Sequence, residues 1–151
     1  MTTIIVGIGN PILGDDGVGI HVARKLRPAL EGKGIVIEEA FTGGLNLLDI
    51  IVGHDRAILV DSISSRELAI GEVVVVQDVS EIGSDHSANP HDVSFPEALE
   101  LAGKMGETRV PKEISLVGIN IRPSYDFKEG LSTEVASAVD IAAEKVRLLI
   151  E

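Results

Sequence analysis

The fold is decided by Ile4-Ile5-Val6-Gly7-Ile8 followed by Gly9-Asn10-Pro11-Ile12-Leu13-Gly14-Asp15-Asp16-Gly17 and then Val18-Gly19-Ile20-His21-Val22. The first piece is a short β-branched run that reads as a strand buried on both faces. The second is a loop, with Asn-Pro inside it. The third opens a helical pattern from about Gly17 to Leu30, with apolar positions at Val18, Val22, Leu26 and Leu30, stopped by Gly32 and Gly34. A buried strand leading directly into a helix is the unit of a parallel sheet.

The rest of the chain repeats that alternation. Strands are expected at 35–40, 57–60 (ending at Asp61), 72–77 and 114–121. Helices are expected at 46–52, 95–105 and 132–150, with Pro96 placed in a first turn and Ser132-Thr133-Glu134 suited to a helix start. One connection differs. Ten residues lie between Asp61 and Glu72, too few for a helical crossover between parallel strands. The expectation is therefore a three-layer α/β/α domain, a single unit over 1–151. It has a five-stranded, mostly parallel twisted sheet, the fourth strand antiparallel and helices on both faces. The long polar stretch from Asp78 to Asp92 must then return across the sheet, which brings His91 toward the carboxyl edge.

Composition narrows the chemistry. The 151 residues hold 13 Lys+Arg against 24 Asp+Glu, a formal charge of −11. Most of that charge is a solvated surface. It excludes a nucleic-acid partner, which needs a basic face, and equally an anionic membrane surface. There is no cysteine, hence no disulfide, thiolate nucleophile or sulfur metal ligand. No export signal and no membrane span are readable, so a cytoplasmic protein is expected. Hydrophobic residues make up 44% and aromatic ones 3%, so the core is aliphatic. The apolar helix faces can all be used internally, which makes a monomer the expected state.

Ligands of open parallel sheets bind beyond the carboxyl ends of the strands. The first and third strands are expected to be neighbours, so Asp16 and Asp61 face one crevice. Gly7-x-Gly9 invites a dinucleotide-binding reading. It fails because Ile12 stands where the third glycine belongs, and Asp15 and Asp16 would repel a pyrophosphate. Taken singly, Asp15 and Asp16 are also good helix-start residues, Asp61 a strand-end turn residue, and His91 a solvated loop histidine. His86, five residues earlier, competes with His91; His21 and His54 read as structural or solvated. Two carboxylates and one imidazole together make an open site for a borderline divalent ion.

The Gly7–Gly19 stretch, with Val60-Asp61-Ser62, His91-Asp92-Val93-Ser94 and Pro96-Glu97-Ala98-Leu99, resembles the signature of the hydrogenase maturation endopeptidases. These process the large subunit of nickel–iron hydrogenases. The resemblance implies that Asp16, Asp61 and His91 form a catalytic and metal-binding trio for nickel or cadmium. The first position is commonly Glu in that family. It further implies substrate recognition by Thr42, Gly43 and Gly44, although Glu39-Ala40-Phe41-Thr42 replaces the usual Asp-Gly-Gly-Thr. The Thr42-Gly43-Gly44-Leu45-Asn46 and His91-Asp92-Val93-Ser94 forms look closest to archaeal members serving deazaflavin-reducing hydrogenases. The implied reaction removes a C-terminal extension from the large-subunit precursor, which carries the nickel itself; cadmium or another divalent ion can substitute. Nickel could polarise the carbonyl or activate a water, or Asp16 could act as the base. The alternative reading is a non-enzymatic nickel-binding chaperone or sensor using the same trio. A nucleotide-binding oxidoreductase and a different peptidase on the same fold are the remaining rivals.

Overall fold

The computed structural model describes residues 1–41, 45–79, 95–123 and 126–151. Strands β1 (Thr3–Ile8), β2 (Ile35–Ala40), β3 (Arg56–Ile63), β4 (Val73–Val76) and β5 (Glu113–Asn120) form one sheet in the order β2-β1-β3-β5-β4. All pairings are parallel except β4 with β5, which is antiparallel. The short Asp61–Glu72 link does reverse the chain, as steric reach requires. Helices α1 (Val18–Leu30), α2 (Leu45–Ile51), α3 (Phe95–Lys104) and α4 (Thr133–Ile150) complete the domain.

Strand alternation splits the apolar residues into two layers. Ile5, Ile37, Ile58, Val60, Val117 and Ile119 pack against α1 and α4 through Val22, Leu26, Ala138 and Val146. Ile4, Val6, Ala57, Leu59 and Ile114 pack on the other face with Leu47, Leu48 and Ile51 of α2 and Ala102 of α3. Each fully buried aliphatic side chain contributes about 1.5–3 kcal/mol of transfer free energy. The near-continuous apolar reading of β1 follows from its central position, covered on both sides.

A 3-10 turn, Gly14–Gly17, holds Asp15 and Asp16, and α1 starts at Val18, one residue from the expected Gly17. One strand end differs by more than a residue. Strand β3 does not stop at Asp61: it stays paired with β5 out to Ile63 opposite Asn120. β1 leaves it earlier, the last pair being Gly7 with Val60. Asp61 is thus the first residue of β3 to stand beyond the end of β1.

Candidate active site

The chain leaves β1 toward β2 in one direction and returns past it to β3 in the other, with α1 on one face and α2 on the opposite one. The carboxyl ends of β1 and β3 therefore flank the point where strand order reverses, the place at which open α/β sheets form a crevice. Asp16 and Asp61 both border it.

Glycines bring the walls together. A Cβ on Gly19 would collide with the carbonyl oxygens of Val60 and Ile8. The first turn of α1 therefore lies directly on the backbone of β1 and β3. Gly9, at φ +149°, would drive a Cβ into the carbonyl oxygen of Asp16. These contacts exist only because no side chain intervenes.

The turn holding Asp16 is wound on itself. The Asn10 N–H donates to Asp16 Oδ2 (2.9 Å), and Asn10 Oδ1 accepts from the Ile12 N–H (3.1 Å). The Leu13 N–H donates to the Asn10 carbonyl at 3.0 Å. Asp15 has another duty. Its Oδ1 accepts from the Ser132 N–H (2.7 Å) and its Oδ2 from the Ser132 hydroxyl (2.8 Å). Ser132 is the cap residue of α4, yet its hydroxyl makes no bond to its own helix. Of the two acids read as suited to a helix start, Asp15 thus anchors the cap residue of a different helix.

Asp61 is the perturbed group. Withdrawal from water pushes its carboxyl up to about 8, and the charge of Asp16 adds to the rise; a bond from the Ser62 N–H (2.7 Å) partly opposes it. Perturbation of this kind, in a crevice, marks functional carboxylates. By alternation with Ala57 and Leu59, Asp61 points toward the α2–α3 face.

His91 and its competitor His86 lie outside the described residues, as do Thr42, Gly43 and Gly44. Among the described residues no group of three potential ligands converges on one point; Asp16 and Asp61 are two. The flanking residues are informative. The segment after α3 is bonded at the amino edge of the sheet, where the Gly53 N–H donates to the Arg109 carbonyl (2.8 Å) and the Lys112 N–H to that of Asp55 (3.1 Å). The other end of α3, at Phe95, therefore points toward the carboxyl edge. Phe41, exposed just past β2, lies at that same edge.

The loop between β5 and α4 also borders the site, and its residues went unread in the sequence. The Lys128 N–H donates to the Ile12 carbonyl (2.8 Å) and the Gly14 N–H to that of Lys128 (2.7 Å). The available signal was topological: β5 is parallel to β1 and β3, so whatever follows it must emerge at the same edge. Asn120 was missed likewise. Fully buried, its Nδ2 donates to the carbonyls of Ser65, Leu68 and Ala69 (3.1, 3.0 and 3.2 Å), and its Oδ1 accepts from the Ser65 N–H (2.8 Å). It fixes the link that follows Asp61.

Among the described residues no helix is long and apolar enough to cross a membrane. A family model described as hydrogenase maturation protease matches residues 20–147. Hydrogenase 2 maturation protease of Escherichia coli is 28% identical over 153 residues, covering 97% of this chain and 88% of that protein. The solved structure of the hydrogenase maturating endopeptidase HybD from E. coli superposes with a TM-score of 0.80 at 26% identity, covering 97% of this chain and 90% of the other. The [NiFe] hydrogenase maturation protease HybD from Thermococcus kodakarensis gives a TM-score of 0.71 at 28% identity, with 100% of both chains covered. The sheet order, the crevice and these matches agree, and the chain belongs to the hydrogenase maturation protease family.

Proposed function

We propose that the protein is an endopeptidase that removes the C-terminal extension of a nickel–iron hydrogenase large-subunit precursor after nickel has been inserted. The observation that carries the reading is the pairing of Asp16 and Asp61 at the β1/β3 crevice, where burial and the Asp16 charge push the Asp61 carboxyl up. His91 is assigned as the third ligand. The support is that it precedes Phe95 by four residues, at the end of α3 that points to the carboxyl edge. Thr42, Gly43 and Gly44 are assigned to substrate contact on the same reasoning.

The chain's own chemistry suits a metal that arrives with the substrate. A neutral Asp61 binds no cation; a divalent ion entering the crevice displaces its proton and is then held by a charged ligand. Without a cation the crevice favours one proton and one charge. Asp16, Asp61 and His91 would hold an ion that the precursor brings with an incomplete coordination shell. Such an ion would supply Lewis-acid polarisation of the scissile carbonyl or of a bound water; alternatively, a carboxylate such as Asp16 would receive the proton of the attacking water. Action in the cytoplasm, as a monomer, belongs to the same reading.

The test incubates the protein with purified precursor, with and without nickel, and follows the size shift. Cleavage of the nickel-loaded form alone is expected, and Asp61→Ala and His91→Ala should each abolish it with the fold intact. Normal processing by either variant removes the trio. Loss in His86→Ala with retention in His91→Ala moves the third ligand to His86. Tight nickel binding by the isolated protein without any cleavage would instead establish the nickel-binding chaperone or sensor.

A further inference from the structure

We propose that the cleft adjoining Asp16 is a subsite for a carboxylate of the peptide substrate, held by Arg122 and Lys128. This rests on the proteolytic reading and adds a specificity element to it. The cleft encloses about 230 Å³ between the first loop and the β5–α4 loop. Arg122 and Lys128 share its lining with Asp15, Asp16 and Asp126.

Its walls are fixed. The Ile12–Lys128 and Gly14–Lys128 backbone bonds and both Ser132–Asp15 bonds join the two loops. The charges within it are unequally committed. Both oxygens of Asp15 are taken by Ser132, Asp16 accepts from Asn10, and Asp126 is itself engaged. Arg122 and Lys128, by contrast, have no hydrogen-bond or ion-pair partner for their side chains among the described residues. Elsewhere Arg24, Lys25, Arg27, Arg56, Lys104, Arg109 and Arg147 are salt-bridged, whereas Lys33, Arg66, Lys112 and Lys145 have no salt bridge among the described residues but do not line this cleft.

Arg122 and Lys128, without partners among the described residues, stand on one cleft beside three carboxylates, and their N–H groups can hold an anionic group by charge-assisted hydrogen bonds. Exposed apolar side chains stand at the same junction: Phe127 is 82% and Ile12 46% exposed. The cleft is too small for a folded domain and suits a short extended segment. The ligand is therefore an acidic peptide stretch with apolar neighbours, running from the Asp16 side of the crevice. Its carboxylate is either an acidic side chain or a chain terminus.

Isotope-labelled full-length protein titrated with three short peptides tests this by NMR. Acetyl-Ala-Leu-Glu-Leu-Ala-amide carries only a side-chain carboxylate. Acetyl-Ala-Leu-Gln-Leu-Ala with a free terminus carries only a terminal one, and its amide carries neither. One or both acidic peptides should shift the amides of Gly14, Gly130 and Ser132, and which of them does so names the source. The neutral peptide should leave these amides in place. The Arg122→Gln/Lys128→Gln protein, and Lys128→Gln alone to a lesser degree, should bind the acidic peptide about fivefold more weakly, and added salt should have the same effect. Equal binding of the neutral peptide, unchanged binding by the double variant, or no shift with any peptide overturns the proposal. No cleavage is measured. Failure here beside intact precursor processing removes only the subsite, whereas peptide binding without processing removes the proteolytic reading.

Discussion

Both carboxylate oxygens of Asp15 are occupied by Ser132, one by its backbone N–H and one by its hydroxyl. Two residues 117 positions apart in sequence thereby tie the turn that carries Asp16 to the start of α4. Neighbouring aspartates have divided the labour: one fastens the turn, and the next faces the crevice.

Removing that fastening should have a definite cost. Asp15→Ala leaves the Ser132 N–H without its acceptor and is expected to destabilise the fold by about 2–3 kcal/mol, and Ser132→Ala by about 1 kcal/mol. The double variant should cost little more than Asp15→Ala, because the two changes remove one shared interaction. Urea denaturation of the three proteins measures this. Fully additive losses would show that the pair is not coupled.

Asp61 gives a pH-dependent prediction. Its ordinary value of 3.8 is raised to about 8 in the fold. The folded state therefore holds a proton that the unfolded chain has released. Stability from this group is full below about pH 4, declines as pH rises, and is gone above about pH 8. Asp61→Asn, which stays neutral, should remove that decline. Because Asp61 retains partial contact with water, the gain above pH 8 is about 2 kcal/mol rather than the full value of the shift. Thermal unfolding from pH 5 to pH 9 of both proteins reads it out. The same variant should be inactive, a trade of function for stability common at active sites.

Gly19 permits no side chain. Gly19→Ala places a methyl group against the Val60 and Ile8 carbonyls, which are backbone atoms of two central strands. A loss of at least about 2 kcal/mol is expected. Gly53→Ala is the control for a glycine with open space, since nothing lies within 4 Å of its added Cβ. Its positive φ of 90° leaves a cost of about 1 kcal/mol.

Asn120→Leu should loosen the link between β3 and β4. It strands the Ser65 N–H and three carbonyls that Asn120 serves, at a cost of about 2–4 kcal/mol. Hydrogen exchange should quicken at Ser65 and Gly71 while the amides of α1 stay protected. Uniform acceleration throughout would mean that the effect is global.

Much of this architecture is legible in the chain because it rests on local rules. Apolar runs at Ile4–Ile8 and Ala57–Val60 gave buried strands, and the ten residues between Asp61 and Glu72 forced the antiparallel fourth strand. The convergence of Asp16 and Asp61 followed from strand order alone. What escaped was long-range and polar. Nothing near Ser132 announces that its hydroxyl serves Asp15 and not its own helix. Nothing near Asn120 announces three carbonyl acceptors. Arg122 and Lys128 are ordinary surface cations until the β5–α4 loop is laid against the first one. The end of β3 was misjudged because a strand leaving one neighbour while keeping another has no sequence signature.

The contact of Gly19 with the Val60 and Ile8 carbonyls also separates the site from the hydrophobic layers beneath it. The spacing of Asp16 and Asp61 is set by main chain resting on main chain, not by how Val22, Leu26 or Ile58 fill their layer. Aliphatic residues there can drift in evolution, exchanging volume with one another at modest energetic cost, without changing the gauge of the crevice. Sequences in such a lineage can diverge through their interiors while the backbone spacing of the two acidic positions is kept.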